Sequence, residues 1–225
     1  MKRKIVLLGL LVLPLVLYVY FSMVKHNQLF LPIITKNLKE LPVHTALDGK
    51  PVALKGKISI VGFFGDDINL RKEAIFNLNQ KINNKYKGFT DFQMVMLVPN
   101  GDQEAVKALE ESLRHMGDIS NWRFVFAAPR DIRAFYSSFH TQEKLDDKAG
   151  SNYVFIVDKN LSLRGRHGQN KKGEQEYKDG YNTFIVSELH NDMTDDVKIL
   201  LREYRLALRR NMPKGFKKEK LGNEE

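Results

Sequence analysis

The chain has 225 residues, enough for one well-sized hydrophobic core with an appendage, and its 43% hydrophobic and 28% charged residues are ordinary for a globular protein. It contains no cysteine, which excludes disulfides, thiolate nucleophiles and thiolate metal ligands. The formal net charge is +9, but much of the excess lies at residues 2–4 and after Ala207, so the sequence predicts no nucleic-acid-binding surface.

The N-terminus carries an apolar run at residues 5–24, interrupted only by Gly9, Pro14 and Ser22. At about 1.5 Å per residue, a helix of this length spans the roughly 30 Å hydrocarbon core of a bilayer. Three basic residues precede it, which predicts a cytoplasmic N-terminus and a domain on the periplasmic side. A cleaved signal peptide is the alternative, but its apolar region is normally about 7–15 residues long and ends in small residues. Residues 1–24 are therefore predicted to be an uncleaved signal anchor, a single-pass transmembrane helix.

Residues 25–40 are predicted to be a linker, because the segment has weak periodicity and contains Pro32. A small hairpin is predicted at 43–57, where Asp48-Gly49 is a turn signal between short apolar runs. Beyond it, apolar strands alternate with helices whose apolar residues recur at helical spacing. The predicted strands cover residues 58–64, 92–98, 122–127, 153–157 and 161–164. The predicted helices include residues 75–86, 106–116, a short segment after Pro129 and 193–204.

This order of elements predicts an α/β fold, a thioredoxin-like domain at 41–207 with a central mixed sheet flanked by helices. The polar, glycine-containing stretch at 165–182 is predicted to be an extended loop. Residues 208–225 form a basic tail, for which two interpretations stay open. The tail is either a disordered soluble segment, or it contacts anionic lipid headgroups.

The first predicted strand runs into a helix through Gly65-Asp66-Asp67. In open α/β sheets, functional groups lie where a strand's carboxyl end meets a helix. The simplest interpretation is that one aspartate caps the helix, while Asp67 pairs with Arg71 one turn later. The alternatives are an anion or partner contact, or an enzyme that uses Asp66 or Asp67 as acid, base or hard-metal ligand.

Other sequence signatures of chemistry are missing from the chain. No two of its six histidines have the spacing H-x-x-x-H, and there is no G-x-S-x-G, no G-x-G-x-x-G and no P-loop. The sequence therefore predicts no catalytic residue, no cofactor and no metal site.

Three short motifs resemble the Sco/SenC family of thioredoxin-fold proteins. Residues 47–64, LDGKPVALKGKISIVGFF, resemble the family's segment that leads into its first apolar strand. Residues 121–124, NWRF, are similar to a later family strand. YVFIVD at 153–158, followed by Leu163-Arg164-Gly165, resembles the family's late hairpin. The resemblance covers about residues 41–207 and implies a membrane-anchored protein of copper delivery and cytochrome oxidase assembly.

The chain departs from the family at the copper site. The resemblance implies a C-x-x-x-C motif and a distal histidine, but Asp67 and Arg71 stand at the cysteine positions, and the histidine position falls near Gly150. Soft Cu(I) selects thiolate and thioether ligands, which a carboxylate and a guanidinium cannot replace. The chain is accordingly interpreted as a degenerate member. We expect a non-catalytic binding or assembly module with an envelope protein partner. Its candidate degenerate-site positions are Asp66, Asp67, Arg71, Ser151 and Asn152.

Overall fold

A computed structural model of the chain describes residues 12–14, 16, 30–169 and 173–211. Most of the predicted anchor at 5–24, and residues 212–225 of the predicted tail, lie outside the described residues. In the part of the chain that is described, no helix is long and apolar enough to cross a membrane.

The centre of the domain is a mixed sheet, eight-stranded over the described residues, in the order β1-β7-β6-β3-β4-β5-β2, with β10 also pairing with β6. Its strands are β1 (Ile33–Thr35), β2 (Thr45–Ala46), β3 (Ile58–Phe64), β4 (Phe92–Pro99), β5 (Trp122–Ala127), β6 (Gly150–Val157), β7 (Leu163–Arg164) and β10 (Tyr181–Asn182). β3, β4 and β5 are parallel, and the other pairings are antiparallel. A separate antiparallel ribbon consists of β8 (Arg166–Gln169) and β9 (Gln175–Lys178).

Helices connect the strands and cover both faces of the sheet. They are α1 (Ile68–Leu78), α2 (Asn84–Tyr86), α3 (Gln103–Arg114), α4 (Pro129–Tyr136) and α5 (Thr194–Asn211). A π-helical turn, Asn79–Asn83, joins α1 to α2, and another, Glu188–Met193, leads into α5. A 3₁₀ turn, Ser137–Phe139, follows α4.

Two apolar cores lie on opposite faces of the sheet because side chains alternate along each strand. On β3, Ile58 and Ile60 face the core built with α1, α3 and α5, whereas Val61 and Phe63 face the core built with α4. β3 and β4 are buried along their whole length, which explains their nearly continuous apolar sequences. The predicted mixed sheet flanked by helices is confirmed.

The predicted hairpin at 43–57 is wrong. Only β2 forms, and it pairs antiparallel with β5. The chain beyond it is a loop, because the Glu40 carboxylate accepts hydrogen bonds from the backbone N–H groups of Leu54 (2.7 Å) and Lys55 (3.0 Å). Leu54 is buried in the core on the α4 face. Long-range contacts therefore decide the course of a segment whose local signals favour a hairpin.

The predicted loop at 165–182 is also wrong, since it contains β8, β9 and β10. The hydrophobic pattern of the sequence does not predict β8 and β9, because their side chains are mostly polar and alternate between exposed and half-buried. Arg166 secures the ribbon with bonds to Glu176 (3.0 Å) and to Asp196 of α5 (2.7 Å). The predicted linker likewise contributes β1 and the buried side chains Leu31 and Leu38.

A buried arginine joins three distant segments of the chain. Arg164, whose side chain is 2% exposed, donates to Asp158 (2.9 Å), to Glu203 of α5 (2.6 Å) and to the carbonyl oxygen of Leu31 (2.9 Å). The Asp158 carboxylate is equally buried and also accepts the backbone N–H groups of Asn160 and Ser162. The guanidinium therefore fixes the start of the domain against its last helix.

Candidate functional site

The turn between β3 and α1 packs directly against the loop before β6. Gly65 has φ +69°, in the left-handed region, and an ideal Cβ there would lie 3.0 Å from the carbonyl oxygen of Lys148 and 3.2 Å from the nitrogen of Gly150. Both the backbone conformation and the close approach require glycine. The structure thus brings the Gly65-Asp66-Asp67 turn and residues 146–150 together, although they are far apart in sequence.

The two aspartates of the turn have different environments. Asp66 is exposed, and its Oδ1 lies 3.2 Å from Nζ of Lys148. Asp67 is the N-cap residue of α1, but its side chain makes no capping hydrogen bond. Its backbone carbonyl oxygen accepts the N–H of Leu70 at 3.2 Å. The predicted position of the cap is confirmed, and the predicted carboxylate cap is wrong.

Arg71 does not pair with Asp67 as predicted. Its Nη2 lies 2.7 Å from Oδ2 of Asp146, and its side chain is 12% exposed. The Asp146 carboxylate is already oriented, because its Oδ1 accepts the backbone N–H groups of Lys148 (3.0 Å) and Gly150 (2.6 Å). A carboxylate held in this way is a better partner than the N-cap aspartate, since it needs no further ordering.

This ion pair fills the space beside Gly150. An ideal Cβ at Gly150 would lie 2.9 Å from Nη2 of Arg71 and 2.9 Å from Oδ2 of Asp146. Such distances leave no room for a side chain. The resemblance expects a histidine near Gly150, and a side chain at Gly150 itself would have to displace the end of the Arg71 or Asp146 side chain.

Ser151 and Asn152 follow Gly150 on β6 but bond away from the turn. Oγ of Ser151 accepts the backbone N–H of Tyr153 at 3.0 Å. The carbonyl oxygen of Asn152 accepts the N–H (2.9 Å) and the hydroxyl (2.8 Å) of Thr183. These two predicted positions therefore belong to the neighbouring strand and loop, and they do not join the Arg71 ion pair.

Charge accumulates where β3 and β4 end. Burial raises the pKa of the Asp102 carboxyl above its usual value, and the negative charges of Asp66 and Asp67 raise that pKa further. The hydrogen bond and charge of Asp66 raise the pKa of the Lys148 amine. Across the described residues, no three His, Asp or Glu side chains form a group that could hold a metal ion.

Two important residues of this site, Asp146 and Lys148, were not predicted. Nη2 of Arg133, on α4, donates to the carbonyl oxygens of Asp146 (2.8 Å) and Asp147 (2.6 Å), so the loop is fixed from a second side. The available signal was the charged run Asp146-Asp147-Lys148, which ends two residues before β6 begins at Gly150.

Comparison with protein-family profiles and with curated protein sequences gives no match. Solved structures do match. BsSco, a member of the Sco family of cytochrome c oxidase assembly proteins, has a TM-score of 0.53 and 16% identity over 75% of this chain and 95% of its own. A Bacteroides thetaiotaomicron protein assigned as a disulfide isomerase has a TM-score of 0.52 and 14% identity over 77% and 95%. An Aquifex aeolicus protein assigned to electron transfer has a TM-score of 0.50 and 14% identity over 73% and 96%.

At these identities the likeness establishes the fold. The chain has the thioredoxin-like α/β fold with a mixed sheet that Sco and disulfide-exchange proteins adopt, and it has this fold without a cysteine.

Proposed function

We propose that this protein is a membrane-anchored, thioredoxin-like module that binds a protein partner in the cell envelope and performs no redox or copper chemistry. Its role is in assembly, related to that of the respiratory oxidase biogenesis proteins. The observation that carries the proposal is the Arg71–Asp146 ion pair at 2.7 Å, which occupies the turn where related folds place their reactive groups.

The residues at the turn do not fit copper. Asp66, Asp67, Arg71 and Asp146 offer hard carboxylate oxygens and a guanidinium, whereas Cu(I) prefers sulfur. Residues 149–152, where the resemblance places the distal ligand, contain no histidine. The turn therefore offers a charged surface held by hydrogen bonds, and not a set of copper ligands.

Exposed apolar side chains on α1 and on the loop after β10 support a binding role. Leu70, in the first turn of α1, is 60% exposed. Three successive apolar residues, Phe184, Ile185 and Val186, are also exposed, and we refer to them as the apolar loop. This loop lies against α1 and β6, because Nδ2 of Asn77 donates to the carbonyl oxygen of Thr183 (3.1 Å). Exposed apolar groups rimmed by charges are typical of protein interaction sites.

The anchor completes the proposal. Residues 5–24 are long and apolar enough to span the bilayer, and the basic residues before them favour a cytoplasmic N-terminus. The domain then lies on the periplasmic side, where an envelope partner is accessible.

Photo-crosslinking tests the binding role. We expect a photoreactive amino acid at Ile185 of the full chain in native membranes to give one dominant crosslinked protein, because the apolar loop is the docking surface. The control is the same amino acid at Lys107, an exposed residue of α3 that pairs with Glu104. Arg71→Ala/Asp146→Ala should weaken the Ile185 crosslink, because Asp146 orients the start of β6, and β6 binds the apolar loop through Asn152 and Thr183. Equal yields at Ile185 and Lys107 would contradict the proposal.

The second candidate function is an enzyme that uses Asp66 or Asp67. It is favoured by the raised pKa of the Asp102 carboxyl, since perturbed carboxylates cluster at active sites. Replacing both aspartates by asparagine separates the two functions. The loss of two negative charges should lower the pKa of Asp102, measured by NMR titration of its carboxyl carbon.

The same variant should keep its stability within about 1 kcal/mol, because the Asp66–Lys148 pair is exposed and Asp67 makes no capping bond. Under our proposal it also keeps its Ile185 crosslink. An Asp131→Asn control, on α4, should leave the pKa of Asp102 unchanged. The enzyme would be favoured if this variant folds and gives the Ile185 crosslink but fails to restore the phenotype of cells that lack the protein.

A further inference from the structure

The last helix carries an unpartnered cationic face. Lys198, Arg202 and Arg205 are exposed and lie at positions i, i+4 and i+7 of α5, and so on one side of the helix; we call them the basic row. Among the described residues, none of the three has an ion-pair partner. The opposite side of α5 is buried in the core through residues such as Val197 and Leu200.

Two acidic residues of the same helix are paired away from this face. Asp196 is buried and bonds Arg166 at 2.7 Å, and Glu203 bonds Arg164 at 2.6 Å. Asp195, at the first turn, is the exposed acid that remains on the described part of the helix. On the described part of α5, two of the three acids are therefore paired inward, whereas Asp195 is exposed three residues before Lys198, on the same side of the helix as the basic row.

The chain enters the domain next to this helix. Arg164 holds the carbonyl oxygen of Leu31 at 2.9 Å and Glu203 at 2.6 Å, and its guanidinium carbon lies 4.8 Å from the centre of the Phe30 ring. The guanidinium of Arg164 thus contacts residues 30 and 31 on one side and α5 on the other. The apolar segment ends at Val24, six residues before Phe30. Six extended residues reach at most about 20 Å.

We propose that the basic row docks on anionic lipid headgroups, so that the domain lies with α5 against the bilayer that anchors it. The inference rests on the proposed anchor at 5–24. The short tether keeps α5 near the surface, and the free positive charges match the negative potential of anionic lipids. The exposed side chain of Leu206, beside Arg205, adds an apolar contact. This docking would also fix the distance and the orientation of the apolar loop relative to the bilayer.

A single reporter tests the docking, since the chain has no cysteine of its own. Leu206→Cys, labelled with an environment-sensitive fluorophore, is placed in the full chain and reconstituted in vesicles. We expect blue-shifted emission with phosphatidylglycerol vesicles and unshifted emission with pure phosphatidylcholine vesicles. Molar salt should remove the shift, because it shortens the Debye length to about 3 Å.

Charge variants locate the effect on α5. Each basic residue near an anionic surface contributes about a fivefold factor, so Lys198→Gln/Arg202→Gln/Arg205→Gln should lower the ratio of docked to undocked chains about a hundredfold. The matched control, Lys50→Gln/Lys107→Gln/Lys144→Gln, removes three exposed charges elsewhere and should retain the shift. Equal loss in both variants would show attraction by net charge alone and would overturn the docking by this row.

Alkaline extraction separates failure of this inference from failure of the anchor. If the chain stays with neutral vesicles at high pH, the anchor is supported. If that chain shows the same emission in both lipids, the docking of the basic row is overturned. A chain that is extracted overturns the anchor. The extracted protein is then mixed with phosphatidylglycerol vesicles, where a salt-sensitive shift supports docking and an unchanged spectrum overturns it.

Discussion

Replacing Arg164 by methionine should lower the free energy of unfolding by about 3–5 kcal/mol. The substitution fills much of the same volume but leaves the Asp158 carboxylate, 2% exposed, without its positive partner. It also removes the donors to the carbonyl oxygen of Leu31 and to Glu203. A buried charge that has lost its partner keeps the full cost of its desolvation, which is why the expected effect is large.

Urea unfolding of the full chain in mild detergent measures this effect. Trp122 is the only tryptophan in the sequence and is buried, so its fluorescence reports on the core. Arg114→Met is the matched control, because Arg114 pairs with Glu110 on the surface of α3; its cost should stay below about 1 kcal/mol. Arg164→Met/Asp158→Asn should recover part of the loss by removing the stranded charge. Similar costs at Arg164 and Arg114 would contradict the account.

The central strands and helices of the fold could be predicted because their burial leaves a pattern within each segment of the sequence. β3, β4 and β5 are covered by helices on both faces, so their sequences are apolar almost throughout and their predicted bounds are close to the observed ones. The buried series Ile75, Leu78, Ile82 and Tyr86 also lies where helical spacing predicts it. In contrast, β8 and β9 have mostly polar side chains that alternate between exposed and half-buried, so their sequences give no apolar pattern.

The candidate site could be predicted only in part, and for a related reason. The turn at Gly65 follows from a strand that runs into a helix, which is visible in the sequence. The partner of Arg71 is not visible, because Asp146 is 75 residues away and reaches Arg71 only through the pairing of β3 with β6. Asp67, four residues from Arg71, was the nearer acid, but a nearby acid competes poorly with one whose carboxylate is already oriented by two backbone N–H groups.

We expect the natural chain to bind no stoichiometric Cu(I), and the substitution Asp67→Cys/Arg71→Cys to create a chain that binds one ion. The two positions are one helical turn apart at the start of α1, close enough for both sulfurs to reach one metal. Thiols at a helix N-terminus have a lowered pKa and are therefore thiolates, the form that binds Cu(I). Loss of Arg71 also removes the ion pair that fills the space beside Gly150. Anaerobic competition with a chromogenic Cu(I) chelator measures the stoichiometry and the affinity.

The control for this gain is Lys107→Cys/Glu111→Cys, a pair with the same spacing on the exposed face of α3. The thiols of this control pair lie further inside a helix, so their pKa should be higher than that of the thiols at the turn. Each pKa unit of difference lowers the fraction of thiolate at neutral pH about tenfold. We therefore expect the pair at the turn to bind Cu(I) at least about tenfold more tightly. Equal affinities would mean that the turn offers only two neighbouring sulfurs, and would contradict the expectation that its position at the start of α1 favours Cu(I) binding. One tightly bound Cu(I) in the natural chain would contradict the proposal that this protein performs no copper chemistry, because the chain would then hold the ion without any thiolate.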